Sequence, residues 1–230
     1  MNGTLKKVLT LCVLPLLIVL LVYLIVAGVQ KPVDFDKVKD QRSLVGIQRL
    51  KDIRELQVAY KSVNNKFAST VDSLILFYNE GKMEVILQVG SRDDSLAVVN
   101  TDRLRKKNRK ITQEQLYDLY LKGERVIATI TTKINVKDTL FNHRSDFVVD
   151  SLKFIPFSDG QLVEMEAVVK KVSGVDVPLF EARMPYDALL KGLDHQLIVN
   201  LKADCEIMNH YKGLQVGSVT APNNNAGNWE

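Results

Sequence analysis

Residues 8 to 29, VLTLCVLPLLIVLLVYLIVAGV, run without a single charge, and this stretch constrains the chain more than any other. A helix that crosses a bilayer needs roughly 20 apolar residues, whereas the apolar core of a secretory signal peptide has about 7–15. The run is long enough to span. It reads as the single transmembrane helix of an anchored protein, with cleavage after the small residues Val26-Ala27-Gly28 as the competing reading. Pro15 stands near the start of the span, where backbone groups freed by a proline find other partners. Cys12 follows Leu9-Thr10-Leu11, without the small residue that precedes a lipidated cysteine, and reads as a packed or lipid-facing thiol.

Lys6 and Lys7 before the run stand against Lys31, Lys37, Lys39 and Arg42 after it, so the positive-inside count is nearly even. Long downstream domains translocate largely regardless of charge. The expected placement is a bacterial inner membrane with the N-terminus inside and the bulk of the chain periplasmic. A formal net charge of +4 is mild for a nucleic-acid binder, and no nucleic-acid partner is expected. Cys12 and Cys205 are the only cysteines and sit in different compartments of this scheme, which leaves no internal disulfide framework.

Beyond the span, Lys31-Pro32-Val33 marks the exit from the membrane. A second helix is predicted from about Asp36 to Asn64, with Leu44, Ile47, Leu50, Ile53, Leu56, Tyr60 and Val63 at intervals of three or four and Phe67 continuing the series. Arg49, Lys51, Asp52, Arg54, Glu55 and Lys61 take the other side. Such a stripe packs on the domain's own sheet or on another subunit, and Leu50, Leu56 and Tyr60 are candidate partner-binding residues. Asn64-Asn65 ends the helix, and Ser69-Thr70 with Asp72 starts a short one over Val71 to Tyr78, closed by Gly81.

Glu84 to Val89 is predicted as a strand, residues 101 to 122 as helical with Thr112 as N-cap, and Val126 to Val136 and Phe147 to Phe157 as strands. Leu162 to Val172 and Val175 to Met184 form a hairpin across Ser173-Gly174. Pro185 to Leu190 reads as a short helix, Gln196 to Leu201 as a strand, and residues 223 to 230 as a polar surface tail in which Trp229 is a possible pin. The expected class is α+β: a transmembrane helix, a long amphipathic helix and a mainly antiparallel sheet with short helices. The expected segments are 1–30 (anchor), 31–68 (stalk), 69–222 (extracytoplasmic domain) and 223–230 (tail).

Chemistry is sparse. His143, His195 and His210 are scattered, and Asp146, Asp150 and Asp159 lack the alternation and glycine of a calcium loop. No phosphate loop, nucleophile elbow or paired catalytic carboxylate motif occurs. Neither catalysis nor a metal or other cofactor is expected. The densest charge feature is Arg103, Arg105, Lys106, Lys107, Arg109 and Lys110, which reads either as a solvated face or as a surface for an anionic partner. No aromatic residues interleave to make a base-stacking platform.

The segment Arg49 to Phe77, RLKDIRELQVAYKSVNNKFASTVDSLILF, resembles the middle of type IV pilins and type II secretion pseudopilins. In those proteins the helix rising from the membrane ends in a leucine-glutamine, tyrosine, asparagine-glycine-lysine-tyrosine stretch, and a sheet domain follows. The matching residues here are Asp52, Leu56, Gln57, Tyr60, Asn64, Asn65, Lys66 and Phe67. Residues 1 to 33 hold no acidic residue, so the prepilin leader and the glutamate near the start of the pilin helix have no counterpart. The whole chain is similar to a family of Gram-negative envelope proteins of this length. The resemblance implies a membrane-anchored, pilin-like structural subunit of a secretion- or pilus-type assembly, partnered by other envelope proteins or by copies of itself. A periplasmic ligand-binding or sensing module is the alternative.

Overall fold

The computed structural model describes Leu14 to Glu230. The start of the apolar run, with Cys12, Lys6 and Lys7, lies outside the described residues. The chain is α+β. In order, its elements are α1 (Leu14–Asn64), α2 (Val71–Glu80), β1 (Lys82–Val89), α3 (Ser95–Lys107), α4 (Gln113–Leu121), β2 (Ala128–Asn135), the single turn α5 (Val136–Thr139), a 3₁₀ segment Val149–Lys153, β3 (Glu164–Val172), β4 (Val175–Pro185), α6 (Tyr186–Leu189), α7 (His195–Ile207) and β5 (Gly213–Gly217).

α1 is one helix of 51 residues. The expected break at Pro32 does not occur. A proline inside a helix removes one N–H and crowds the carbonyl four residues back; here that carbonyl belongs to Gly28, whose surroundings are open, and helix-forming turns continue on both sides. None of the apolar window near the start of α1 is buried, with Leu16 71% and Val19 69% exposed. Burial begins at Phe35, six positions beyond Val29, a rise of about 9 Å along a helix. The expected amphipathic stalk helix over 31–68 is buried at Phe35 and then, after the exposed Leu44 and Val45, from Gly46 onward along one face.

By its contacts the chain divides into two compact units, and α1 passes from the first to the second after Glu55. The first unit comprises the chain through Glu55, residues 69–71 and residues 151–230. Its sheet has the order β3-β4-β5, all antiparallel. Val172 pairs with Val175 around Ser173 (φ 51°) and Gly174 (φ 85°), the left-handed pair that a two-residue hairpin turn demands. Phe180, Ala182 and Met184 of β4 and Leu214 and Val216 of β5 share one buried face. α1 meets this face closely at Gly46, where a Cβ would stand 2.8 Å from Leu214 Cδ1 and 3.4 Å from Leu189 Cδ1. Leu50 and Ile53, both fully buried, extend the same helix face, and Arg42 donates to the carbonyls of Leu189 and Lys191.

On the opposite sheet face Arg183 pairs with Glu164 (3.3 Å) and with the buried Glu181 (3.1 Å), whose second oxygen accepts from Val219 N (3.2 Å). The Arg183 guanidinium also lies over the Tyr211 ring, 5.9 Å from its centroid. Burial, aided by the Glu164 carboxylate, pushes the Tyr211 hydroxyl up to about 12.

The second unit comprises residues 56–68 and 72–150. Asn65 in the left-handed region (φ 55°) stops α1, with its N–H on Lys61 O. The chain then reverses, and Gln57, fully buried, clasps Ala68 from both sides: Nε2 donates to Ala68 O (2.8 Å) and Oε1 accepts from Ala68 N (2.9 Å). Tyr60 lies edge-on to Phe77, and Tyr78, Phe141 and Phe147 form an aromatic cluster beneath Arg144. β1 and β2 make a two-stranded antiparallel ribbon from Lys82↔Asn135 to Val89↔Ala128.

Two expected strands are corrected. Phe147 to Phe157 is the 3₁₀ segment followed by a loop, with Phe154 alone in an isolated bridge to Leu162. Its alternation arises because its apolar residues serve separate places: Phe147 joins the aromatic cluster, whereas Leu152 and Ile155 are buried in the other unit. Left-handed Phe157, Asp159 and Gly160 then turn the chain. Gln196 to Leu201 lies within helix α7, begun by Asp194, whose Oδ1 accepts from Gln196 N and Leu197 N. The strand beside β4 is instead β5. The helical reading of 101–122 resolves into α3 and α4, separated at Asn108.

Residues 223–230 lie along β5. Gly217 N donates to Ala226 O, Asn228 N to Gln215 O, and Asn228 Oδ1 accepts from Gln215 N. Glu230 closes the run on Arg54 at 2.6 Å. Trp229 is half-buried and folds over Gly227, where a Cβ would stand 2.4 Å from the indole; its Nε1 is buried with no hydrogen-bond partner.

Candidate functional site

α3 is built to hold charge at its end. Asp94 caps its start through Leu96 N (3.0 Å) and Ala97 N (3.3 Å). The buried Thr101 then ties it to the start of β2, donating to Ala97 O (2.7 Å) and accepting from Ile127 N (2.9 Å). Arg105, Lys106 and Lys107 occupy the last turn, where cations suit the negative end of the helix dipole. Asn108 closes the helix through Leu104 O, and Arg109 and Lys110 follow before Thr112 opens α4 with a reciprocal capping box to Gln115.

A groove of about 530 Å³ lies between α3 and the outer face of the β1–β2 ribbon, lined by Gln88, Arg92, Val98, Thr101, Asp102, Arg105, Gln113, Ile127 and Thr129. Gln113 Oε1 accepts from Thr129 N (2.9 Å), which fixes the side chain across the ribbon end. Arg92 and Arg105 form no ion pair with any described carboxylate. Two guanidinium forks without an ion pair share this lining with the amides of Gln88 and Gln113 and suit a planar carboxylate or a phosphate, which accepts paired N–H bonds, while the Asp102 carboxylate in the same lining offsets part of their charge.

Of the candidate cations, only Arg105 lines the groove; Arg103, Lys106, Lys107, Arg109 and Lys110 are exposed outside its lining. Arg92, which sequence reasoning passed over, supplies the second guanidinium. Its signal was its place just ahead of the Asp94 cap, which fixes where the chain enters the helix.

Leu50 and Leu56 are corrected: both are completely buried in the protein's own core and cannot face a partner. Tyr60 is half-buried against Phe77. His143, His195 and His210 are exposed, and among the described residues no group of three metal-ligating side chains converges. Asp146 pairs with Arg144 and Asp159 with Lys191. Burial, with the Asp204 carboxylate nearby, pushes the Cys205 thiol up, the opposite of activation as a nucleophile.

No protein-family model, curated protein or solved structure matches this chain.

Proposed function

We propose that this chain is a single-pass, membrane-anchored envelope protein of pilin-like design, acting as a non-enzymatic scaffold subunit in a bacterial inner membrane with residues beyond 30 on the periplasmic side. The observation that carries this reading is the division of α1. Its first half presents an unburied apolar surface on every side, and the same unbroken helix is buried at Phe35 and enters the core of the first unit from Gly46 onward. A fully apolar helix without protein cover belongs in hydrocarbon, since water penalises each exposed side chain by roughly 25 cal/mol per Å². Continuity through Pro32 would then couple the domain to the bilayer without a flexible joint.

Alkaline carbonate washing of membranes and thiol labelling test this. In a Cys12→Ser/Cys205→Ser background, Ile207→Cys, at a position 80% exposed, reports the domain's compartment. Expected are a chain that stays in the carbonate pellet and labelling by an impermeant reagent in intact spheroplasts. Release by carbonate sinks the anchor, and labelling only after lysis sinks the orientation.

The groove favours a second reading, a module that takes a small polyanion. Titration of the detergent-solubilised full chain with citrate and with inorganic phosphate is the measurement. Arg92→Gln and Arg105→Gln should each weaken binding about tenfold, as expected for loss of a charged hydrogen-bonded contact. Lys107→Gln should change it less than about twofold, as for a solvated charge. Absence of heat with both anions, or equal loss in all three variants, removes this reading.

A further inference from the structure

We propose that the outer edge of β1 pairs with β1 of a second copy of this chain, joining two ribbons into one four-stranded antiparallel sheet centred on Ile86. Thr129 N donates away from β1, to Gln113 Oε1, and Val136 N donates to Gly81 O. Those two bonds fix the alternation of the ladder: Gly81↔Val136 is a bonded pair, so Lys82, Glu84, Ile86 and Gln88 turn their N–H and C=O groups away from β2. Among the described residues, none of Glu84, Ile86 and Gln88 has a backbone partner on that side.

Apart from the exposed charges of Lys82 and Glu84 at its start, the edge lacks the devices that natural edge strands use against pairing. It is eight residues long, without proline and in unbroken register with β2. Its centre is apolar and open, with Ile86 71% and Leu87 39% exposed.

The occupant follows from the self-complementarity of KMEVILQV. With Ile86 of one copy opposite Ile86 of the other, Glu84 faces Gln88, Val85 faces Leu87 and Met83 faces Val89. The outward groups at 84, 86 and 88 then form three pairs that exchange about six backbone bonds, and no like charges oppose. A shift of two residues sets Glu84 against Ile86, and a shift of four sets Glu84 against its own copy. Charge and apolar matching therefore select one register.

The pairing rests on the scaffold reading only for its biological use. Crosslinking reads the pairing directly and carbonate washing reads the anchor, so the two can fail separately. The test uses the full chain in detergent with Cys12→Ser and Cys205→Ser, treated with a short bis-maleimide, which adds one cysteine thiol across each of its two double bonds. In the proposed register the two copies of residue 86 lie about 5.5 Å apart, and the two copies of residue 84 about 14 Å apart.

Ile86→Cys should convert mostly to dimer and Glu84→Cys hardly at all, while a mixture of Glu84→Cys and Gln88→Cys chains should crosslink. Ile86→Pro should abolish the dimer in light scattering while leaving the β1–β2 ladder intact, because the N–H it removes faces outward. Ile86→Lys provides the same readout if the proline variant does not fold. A monomeric parent chain, equal crosslinking at 84 and 86, or an Ile86→Lys variant that remains dimeric overturns the proposal.

Discussion

Gln57 shows how a single side chain closes this fold. α1 ends at a left-handed asparagine and the chain doubles back, bringing the buried peptide groups of Ala68 beside the last turns of the helix. Gln57 satisfies both the N–H and the C=O, as buried backbone groups require. Gln57→Leu keeps approximate volume but strips both groups of this partner, at about 1–3 kcal/mol each, so stability should fall by about 2–6 kcal/mol. The urea midpoint measures it, and an unchanged midpoint would mean that another group takes over the clasp. In the sequence Gln57 stood out only through the pilin-like match. Its role was illegible because its partner is a backbone group eleven residues on, with no side-chain signature. Leu50 and Leu56 carry a parallel lesson: helical spacing says that a residue is covered, while the identity of the cover lies elsewhere in the chain.

At the scale of elements, legibility followed how local the determining forces were. The β3–β4 hairpin and the ends of α1 and α2 were readable because Ser173-Gly174, Asn65 and Gly81 impose their backbone conformations nearby. The run Gln196 to Leu201 was too short to separate period 2 from period 3.6, and the Asp194 cap decided it. The composition of residues 223–230 predicts a surface tail, but their attachment depends on Arg54 and the β5 edge. The Arg54 guanidinium bonded to Glu230 holds that carboxyl below its ordinary value of 4.5. A carboxylate held low by folding stabilises the folded arrangement above 4.5 and loses that contribution as pH falls through its folded value. Trp229, the only tryptophan, reports on this attachment. Its emission should stay constant from neutrality down to about pH 4.5 and move to the red below it, and Arg54→Gln should show the red-shifted spectrum already at neutral pH. Spectra of parent and variant that superimpose at neutral pH would mean that the backbone bonds to β5 hold the segment alone.

For the whole molecule, the amino-acid pattern alone determined the α+β class, the apolar run from Val8 to Val29, the amphipathic helix beyond it and most of the strands. These depend on composition and short-range periodicity, which each segment carries by itself. Tertiary structure decided that α1 is continuous through Pro32, because the cost of one missing hydrogen bond is small beside the turns that continue on either side. It also decided that α1 contributes core residues to both units, with Leu50, Ile53 and Leu56 of its apolar stripe fully buried and Leu44 and Val63 left exposed. Arg92 joined Arg105 only through the packing of α3 on the ribbon, and the unpaired edge of β1 emerged only once the strand order was known. Pairing partners, covered faces and open edges depend on which distant segments meet. That depends on the balance of burial and hydrogen bonding over the entire chain, which no single stretch of it contains.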